Sequence, residues 1–253
     1  MKAQSPILRT LAAAAIVALL GAGLHAQQQT ETVDRTVPLP ENGTLELKNF
    51  SGKVRITGTS GKDVVIHAVR RARRDRLENI KLTIETTGSR VVVNANDRQR
   101  EWRERDENVV ETDFEIQVPA AAKLDVNVFG SDVTVSGVTG SQRIKSFSGD
   151  VIVSDARGAI DAESFSSTIE INAIAAGASP DIRAETFSGD IRVRLAENAQ
   201  GSVQFDSFSG SFDTALPMKI RSVRRSRTEG DLPGGAGRTL RFHTFSGNVR
   251  IDR

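Results

Sequence analysis

A three-residue pattern, Phe-Ser-Gly, recurs along this 253-residue chain inside a frame of alternating residues, and that frame leaves few folds open. The copies read NFSGKVRI from Asn49, VFGSDVTV from Val128, SFSGDVIV from Ser146, SFSSTIEI from Ser164, TFSGDIRV from Thr186, SFSGSFDT from Ser207 and TFSGNVRI from Thr244. Seven of the eleven Phe residues hold the same place: Phe50, Phe129, Phe147, Phe165, Phe187, Phe208 and Phe245. The steps between them are 79, 18, 18, 22, 21 and 37 residues, and the middle steps have the length of one solenoid coil.

Each copy carries the same internal logic. Four residues after the Phe stands Val54, Val133, Val151, Ile169, Ile191, Phe212 or Val249; six after it stands Ile56, Val135, Val153, Ile171, Val193, Thr214 or Ile251. The residue between is mostly polar, as in Arg55, Thr134, Glu170, Arg192 and Arg250. Period-two alternation of this kind is a half-buried strand. Three residues before the Phe come Leu47, Val126, Ile144, Ala162, Ala184, Phe205 and Phe242, and five before come apolar residues except at Gln142. That is a second strand of opposite parity, so the inward face switches at the Ser-Gly turn, where glycine is expected to take a positive φ. Two strands and two turns per copy predict an all-β fold, a β-helix-like β-solenoid of roughly 18–22-residue coils, stacked about 4.8 Å apart. Equivalent Phe rings then form a column, each neighbouring pair adding about 0.5–1.5 kcal/mol beyond area burial.

The flanks depart from the repeat. Between Phe50 and Phe129 the alternation predicts strands at Val64–Ala68, Leu82–Glu85, Val91–Asn94, Phe114–Val118 and Leu124–Val128, antiparallel in this N-terminal part. VRRARRDRLEN from Val69 has room for a short helix, with Leu77 and Ile80 three apart; NDRQREWRERDEN from Asn96 reads as an exposed loop. Pro217 to Arg238, with its Arg run and LPGGAGR, reads as an inserted loop. At the start, Lys2 and Arg9 precede the apolar run Leu11–Leu20 and the small-residue stretch GAGLHA, the layout of a signal peptide cleaved after Ala26. Residues 1–26 are therefore expected to leave, and 27–253 to form one exported domain in the periplasm or at the cell surface. No second run of spanning length follows, so no membrane anchor is expected after cleavage. The formal charge of +2, less the two positives of that leader, leaves the remainder near neutral and gives no case for nucleic acid. Cysteine is absent and there are only three His, which removes thiolate chemistry and most zinc and triad sites.

The candidate chemistry mostly resolves into structure. A nucleophile needs one positioned copy, whereas Ser51, Ser148, Ser166, Ser188, Ser209 and Ser246 repeat, as turn residues bonding their own backbone do. Asp132, Asp150 and Asp190 fall three after the Phe; Asp132 and Asp150 would be neighbours able to attract Ca²⁺, but Thr168 interrupts the column and turn capping is the expected role. A carbohydrate-active site on a β-helix would draw on Asp132, Lys145 and Asp150. His67 and His243 lie far apart, each read as a surface histidine. No catalytic, cofactor or metal residue is therefore expected. The functional lead is arginine: Arg70, Arg71, Arg73, Arg74 and Arg76 in one group, Arg221, Arg224, Arg225 and Arg227 in another. Guanidinium forks bind phosphate and carboxylate bidentately, so an anionic envelope polymer or acidic glycan is the partner they would take.

The -FSGDV- series, the Val-Pro-Ala strand end at Val118–Ala120 and the closing FSGNVRI resemble the bacterial putative-adhesin family, exported or envelope β-strand-repeat proteins catalogued as domain of unknown function 4097. The resemblance runs from about Val33 to Arg253 and implies a β-solenoid with a non-enzymatic surface role. It brings no catalytic residues with it. The expectation is thus an adhesin-like envelope protein, with a polyanion-binding module and a carbohydrate-active enzyme as alternatives. Exposed solenoid ends invite strand pairing, so self-association is also expected.

Overall fold

The computed structural model describes residues 28–98, 108–174, 180–233 and 237–253. The leader, most of the hydrophilic segment after Asn96 and the centre of the LPGGAGR stretch lie outside these residues. Nearly all the regular structure of the described residues is strand. It opens with β1 (Gln29–Pro38), β2 (Thr44–Thr59), β3 (Asp63–Ala72), the short helix α1 (Arg74–Asn79), β4 (Ile80–Thr87), β5 (Arg90–Arg98), β6 (Glu111–Pro119) and β7 (Lys123–Ser136). Short strand pairs follow: β8 (Gln142–Ser146) with β9 (Val151–Ser154), β10 (Ile160–Ser164) with β11 (Ile169–Asn172), β12 (Ile182–Thr186) with β13 (Ile191–Arg194), and β14 (Ser202–Ser207) with β15 (Phe212–Thr214). A hairpin of β16 (Lys219–Arg224) and β17 (Arg227–Asp231) precedes the last pair, β18 (Thr239–Thr244) and β19 (Val249–Asp252).

Each copy of the repeat is one rung of a β-solenoid, as the alternation predicts. The strand before the Phe pairs in parallel with its equivalent on the next rung, Ile144 beside Ala162 and Ala162 beside Ala184; the strand after it does likewise, Val153 beside Ile171 and Ile171 beside Val193. The parity switch is present. In β2, Leu45 and Leu47 are buried before the corner, and Val54 and Ile56 after it. The two parallel sheets meet at the Phe-Ser-Gly corner and enclose the main core, which runs from Leu39 to Ile251.

The reason for glycine at the corner differs from the expected one. Among the glycines that follow Phe-Ser, only Gly52 has a positive φ, 115°. The others are required by the stacking itself. A Cβ on Gly149 would lie 2.0 Å from the carbonyl oxygen of Ser131 one rung below, and one on Gly247 would lie 1.9 Å from that of Gly189. Where the sequence has Ser167 instead, its hydroxyl bonds the Gly149 carbonyl beneath at 2.8 Å.

Rung order also departs from chain order. Strand β18 pairs with β12 on one side and β14 on the other, and β19 lies between β13 and β15. The chain therefore skips one level after β13, builds the terminal rung, and returns to fill the gap. The excursion between is the β16–β17 hairpin, whose β17 runs antiparallel over β14. The segment from Pro217 read as a loop is thus largely a cap. At the other pole, β5 and β6 form a split rung under the two halves of β2, and β3, β4 and β1 cover it with antiparallel strands. The short helix occupies only Arg74–Asn79, because Val69–Ala72 continue β3 and Ala72 joins Ile80 and Val110 in a small second core.

Candidate functional site

The corner residues build one continuous feature, a ladder of seven phenylalanines. Stacking runs Phe50, Phe129, Phe147, Phe165, Phe187, Phe245, Phe208, with ring centroids 4.6–5.0 Å apart and planes within 2–13° of parallel. The spacing is that of the strands beneath, because the corner amides bond rung to rung: Ser148 N–H donates to Phe129 O at 2.8 Å and Ser166 N–H to Phe147 O at 3.1 Å. The column of rings was predicted; its position on the outside was not. Phe129, Phe147, Phe165, Phe187 and Phe245 are 41–46% exposed, and Phe208, at the end, is 77% exposed. The result is an apolar stripe about 29 Å long; the other large exposed apolar side chains, Val65, Ile152, Ile174, Ile220 and Val223, lie outside it.

Stacking covers the ring faces and leaves the edges outward. The Arg98 guanidinium lies 5.3 Å from the centroid of Phe50 and closes the column at that end with a cation–π contact. The last ring, Phe208, has Phe245 on one side only.

Two rails border the stripe. The first is structural and buried: the residue before each Phe is Asn49, Ser146, Ser164, Thr186, Ser207 or Thr244, with Val128 the exception. Ser146 Oγ accepts the Gly149 N–H at 3.0 Å and donates to the Gly149 carbonyl at 2.9 Å, and Asn49 Nδ2 donates to Thr112 O at 2.9 Å. At this rung the turn-closing hydroxyl belongs to the residue before the Phe; Ser164 Oγ instead lies 2.5 Å from Ser167 Oγ, the buried hydroxyls of Thr186, Ser207 and Thr244 have no hydrogen-bond partner among the described residues, and Ser148, Ser166, Ser188, Ser209 and Ser246 after the Phe are exposed. The seven-fold pattern held this signal, since a small polar residue recurs just where alternation demands burial.

The second rail caps amides from rung to rung, with Asp132, Asp150 and Asp190 at three positions and Lys53, Thr168, Ser211 and Asn248 at the others. Asp132 Oδ1 accepts the Asp150 N–H at 3.2 Å, Asp150 Oδ1 the Thr168 N–H at 3.0 Å, and Asp190 Oδ1 the Asn248 N–H at 3.0 Å. Each side chain caps the amide of the following rung, so the capping is between turns rather than within one. Asp113 does the same for Lys53 at 2.8 Å. Burial pushes the Asp113 carboxyl up, but the Arg71 guanidinium and the Lys53 amide outweigh it and hold it below its ordinary value. Lys145, the third residue of the carbohydrate-active alternative, sits before the corner on β8 and pairs with Glu163 at 2.8 Å. It is not gathered with Asp132 and Asp150. His67 Nδ1 lies 2.6 Å from Asp34 across the β1–β3 pair, and His243 is exposed on β18. Among the described residues no group of three His, Asp or Glu is placed to hold a metal.

The two Arg groups lie at opposite poles. Arg70 is buried in the N-terminal cap, where it bonds Glu31 and the Ile80 carbonyl; burial drives its pKa down and Glu31 offsets part of that. Arg71 pairs with Asp113 at 2.5 Å, Arg73 with Asp75 at 2.8 Å and Arg74 with Glu78 at 2.7 Å; Arg76 lies within the last turn of α1. In the C-terminal hairpin Arg221 pairs with Asp231 at 3.3 Å and Arg227 with Asp206 at 2.6 Å. Only Arg224 and Arg225 of the two groups are exposed without an ion pair among the described residues.

Among solved structures, a putative cell adhesion protein from Clostridium sporogenes is similar at 10% identity, covering 87% of this chain and 99% of that one with a TM-score of 0.47. A putative adhesin from Bacteroides fragilis is similar at 11% identity, covering 87% and 96% with a TM-score of 0.33. No curated protein matches the sequence. The family described as Toastrack DUF4097 matches residues 36–252, which takes in every rung, the whole phenylalanine ladder, the C-terminal cap and the N-terminal cap apart from most of β1. The chain belongs to the Toastrack DUF4097 family.

Proposed function

We propose that this protein is an exported, non-enzymatic, adhesin-like module of the cell envelope, and that the phenylalanine ladder is its contact surface. One observation carries the reading: six of the seven rings are more than two-fifths exposed, in one unbroken stripe. Monomeric soluble proteins rarely leave contiguous apolar surface open unless something lies on it. Because the rings cover one another's faces, a partner that stacks on an aromatic face finds one bare face, at Phe208. A partner lying along apolar edges finds the full stripe. The similarity of successive rungs supports a repeated contact surface rather than a localised reaction centre, which would need one rung to differ. Export rests on the leader; a mass of the secreted chain beginning at Gln27 tests it.

The contact surface is tested with protein expressed from its full sequence, immobilised and exposed to washed envelope fragments. A Phe147→Ser/Phe165→Ser/Phe187→Ser variant that keeps its strand content by circular dichroism is expected to retain at least about tenfold less material. Undiminished retention by the folded variant overturns the assignment. A second reading, polyanion binding, is favoured by Arg224 and Arg225, which face solvent with no ion pair among the described residues. It requires retention on heparin at low salt, reduced by Arg224→Ser/Arg225→Ser; flow-through of the unmodified protein overturns it.

A further inference from the structure

The N-terminal pole ends unevenly. Beyond the split rung, one sheet continues through β3 to β1, while the other stops at β4. Strand β1 thus stands one strand further out, and among the described residues β3 is its single strand neighbour. The free edge is ten residues long, Gln29–Pro38. Which of its backbone groups are open follows from the pairing. Leu39 N–H donates to Lys62 O at 3.3 Å, in register with the β1–β3 ladder, so the odd-numbered residues of β1 bond β3. The N–H and C=O of Thr30, Thr32, Asp34 and Thr36 therefore face the open side. The side chains of Glu31, Val33, Arg35 and Val37 are half-buried on the core face, and those of Thr30, Thr32, Asp34 and Thr36 are exposed.

We propose that β1 pairs with β1 of a second copy of this chain, antiparallel about a two-fold axis through Val33. The open groups then bond Thr30 to Thr36 and Thr32 to Asp34 of the other copy. The residues between stand directly opposite one another: Val33 faces Val33, and each Glu31 faces the other copy's Arg35. Arg35 is half-buried and has no ion pair among the described residues. Glu31 holds the buried Arg70 through Oε2, and its side chain is 40% exposed, so Oε1 is left for a second guanidinium. The match belongs to this register alone. A shift by two residues one way sets Asp34 against Asp34 and Glu31 against Val37; the other way sets Glu31 against Val33 and Arg35 against Gln29. A shift by one turns open groups toward groups already bonded to β3. An inward charge on an edge strand repels a strand without its counter-charge, so Arg35 admits a strand with an acid at that place, and β1 itself is such a strand. The outward carboxylate, Asp34, is engaged by His67 on β3 at 2.6 Å. Each complementary contact is made twice and the assembly closes. A single strand pair buries less than the roughly 1,200 Å² of a standard interface, so the dimer forms with rising concentration.

Sedimentation velocity over a concentration series tests this with protein expressed from its full sequence. A monomer–dimer equilibrium is expected. Arg35→Glu sets carboxylate against carboxylate on both sides of the axis and is expected to weaken the dimer at least about tenfold, with strand content unchanged by circular dichroism. Cross-linking reads the register. The chain has no Cys, so Val33→Cys adds one thiol that meets its own copy, and mild oxidation is expected to give a covalent dimer. Thr36→Cys, on an exposed position of the same strand, faces Thr30 instead and is expected to remain uncross-linked. Three results overturn the proposal: a monomer at every concentration, a dimer indifferent to Arg35→Glu, or cross-linking at Thr36 as fast as at Val33.

Discussion

The middle of the solenoid and its two poles are built on opposite principles. In the middle, each rung from β8/β9 to β18/β19 pairs in parallel with a near copy of itself, and apolar side chains stack like on like. At the poles, antiparallel strands cover the terminal rungs: β3 and β4 at one end and, over the β14 half, β17 at the other. A repeating parallel stack presents the same free edge however many rungs it has, so only a strand outside the repeat can end it. The chemistry divides in the same way. The exposed pairs of the middle, such as Arg143–Asp161 at 3.4 Å, contribute little singly, whereas the caps hold Arg70, the one buried guanidinium among the described residues. The rungs are held by shape and the caps by charge.

The sharpest way to break the comparison is through the corner glycines. Gly247→Val puts a side chain into the Gly189 carbonyl and is expected to cost more than about 3 kcal/mol or prevent folding, because backbone lies both above and below. Gly88→Ala in the β4–β5 turn meets nothing within 4 Å and bears only the strain of its φ of 59°, about 1 kcal/mol. Chemical denaturation of the two variants gives the contrast; equal losses would mean that rung stacking is looser than the contacts imply.

The N-terminal cap gives the next largest effect, with an asymmetry. Glu31 is 40% exposed on its side chain and Arg70 only 2%. Glu31→Ala leaves a buried cation without its counter-charge and is expected to cost about 2–4 kcal/mol. Arg70→Met leaves a carboxylate that water can reach and fills the space with an apolar chain, so it is expected to cost about 1 kcal/mol or less. The reverse order in denaturant midpoints would show that Glu31 contributes through packing.

The ladder compares middle with end directly. Phe165→Ser removes two stacking contacts and Phe208→Ser one, each contact adding about 0.5–1.5 kcal/mol. Loss of stability should therefore be about twice as large at Phe165, while a dye sensitive to apolar surface should lose signal in both.

Legibility follows the same division. The rungs could be read because period-two alternation with a parity switch at a fixed Phe admits little but a two-sheet coil. Burial of Ile144, Ala162 and Ala184 was therefore visible before any coordinate. What alternation cannot convey is order along the axis: Phe187 stacks on Phe245 and not on Phe208, since equivalent rungs are chemically interchangeable and only the hairpin decides which is last. The Arg runs misled for a related reason. Arg70 occupies an inward position of β3, but an Arg in a run reads as solvated until its partner, Glu31, is brought in from β1 by the cap. The exposure of the ladder was hidden too, because a recurring Phe signals stacking without saying on which side of the backbone it stands.

Acid separates poles from middle with the smallest perturbation. Glu46, Asp75, Asp113 and Asp206 are held below their ordinary values, and all four lie in or beside the caps. For Asp206 burial pushes the other way, but the Arg227 and Gln204 hydrogen bonds prevail; for Glu46 the Lys48 hydrogen bond leads. A carboxyl whose folded pKa lies below its unfolded one stabilises fully above the unfolded value, 3.8 for Asp and 4.5 for Glu, and stops doing so as pH falls through the folded value. Stability contributed by these groups should therefore stay level from pH 7 to about 5 and decline below about 4. Hydrogen exchange at pH 3 is expected to release the β3–β6 and β14–β17 amides before those of β10 and β12, and the Asp206→Asn variant to lose its hairpin protection already at pH 7. Earlier exchange from the middle rungs would mean that charge does not hold the caps.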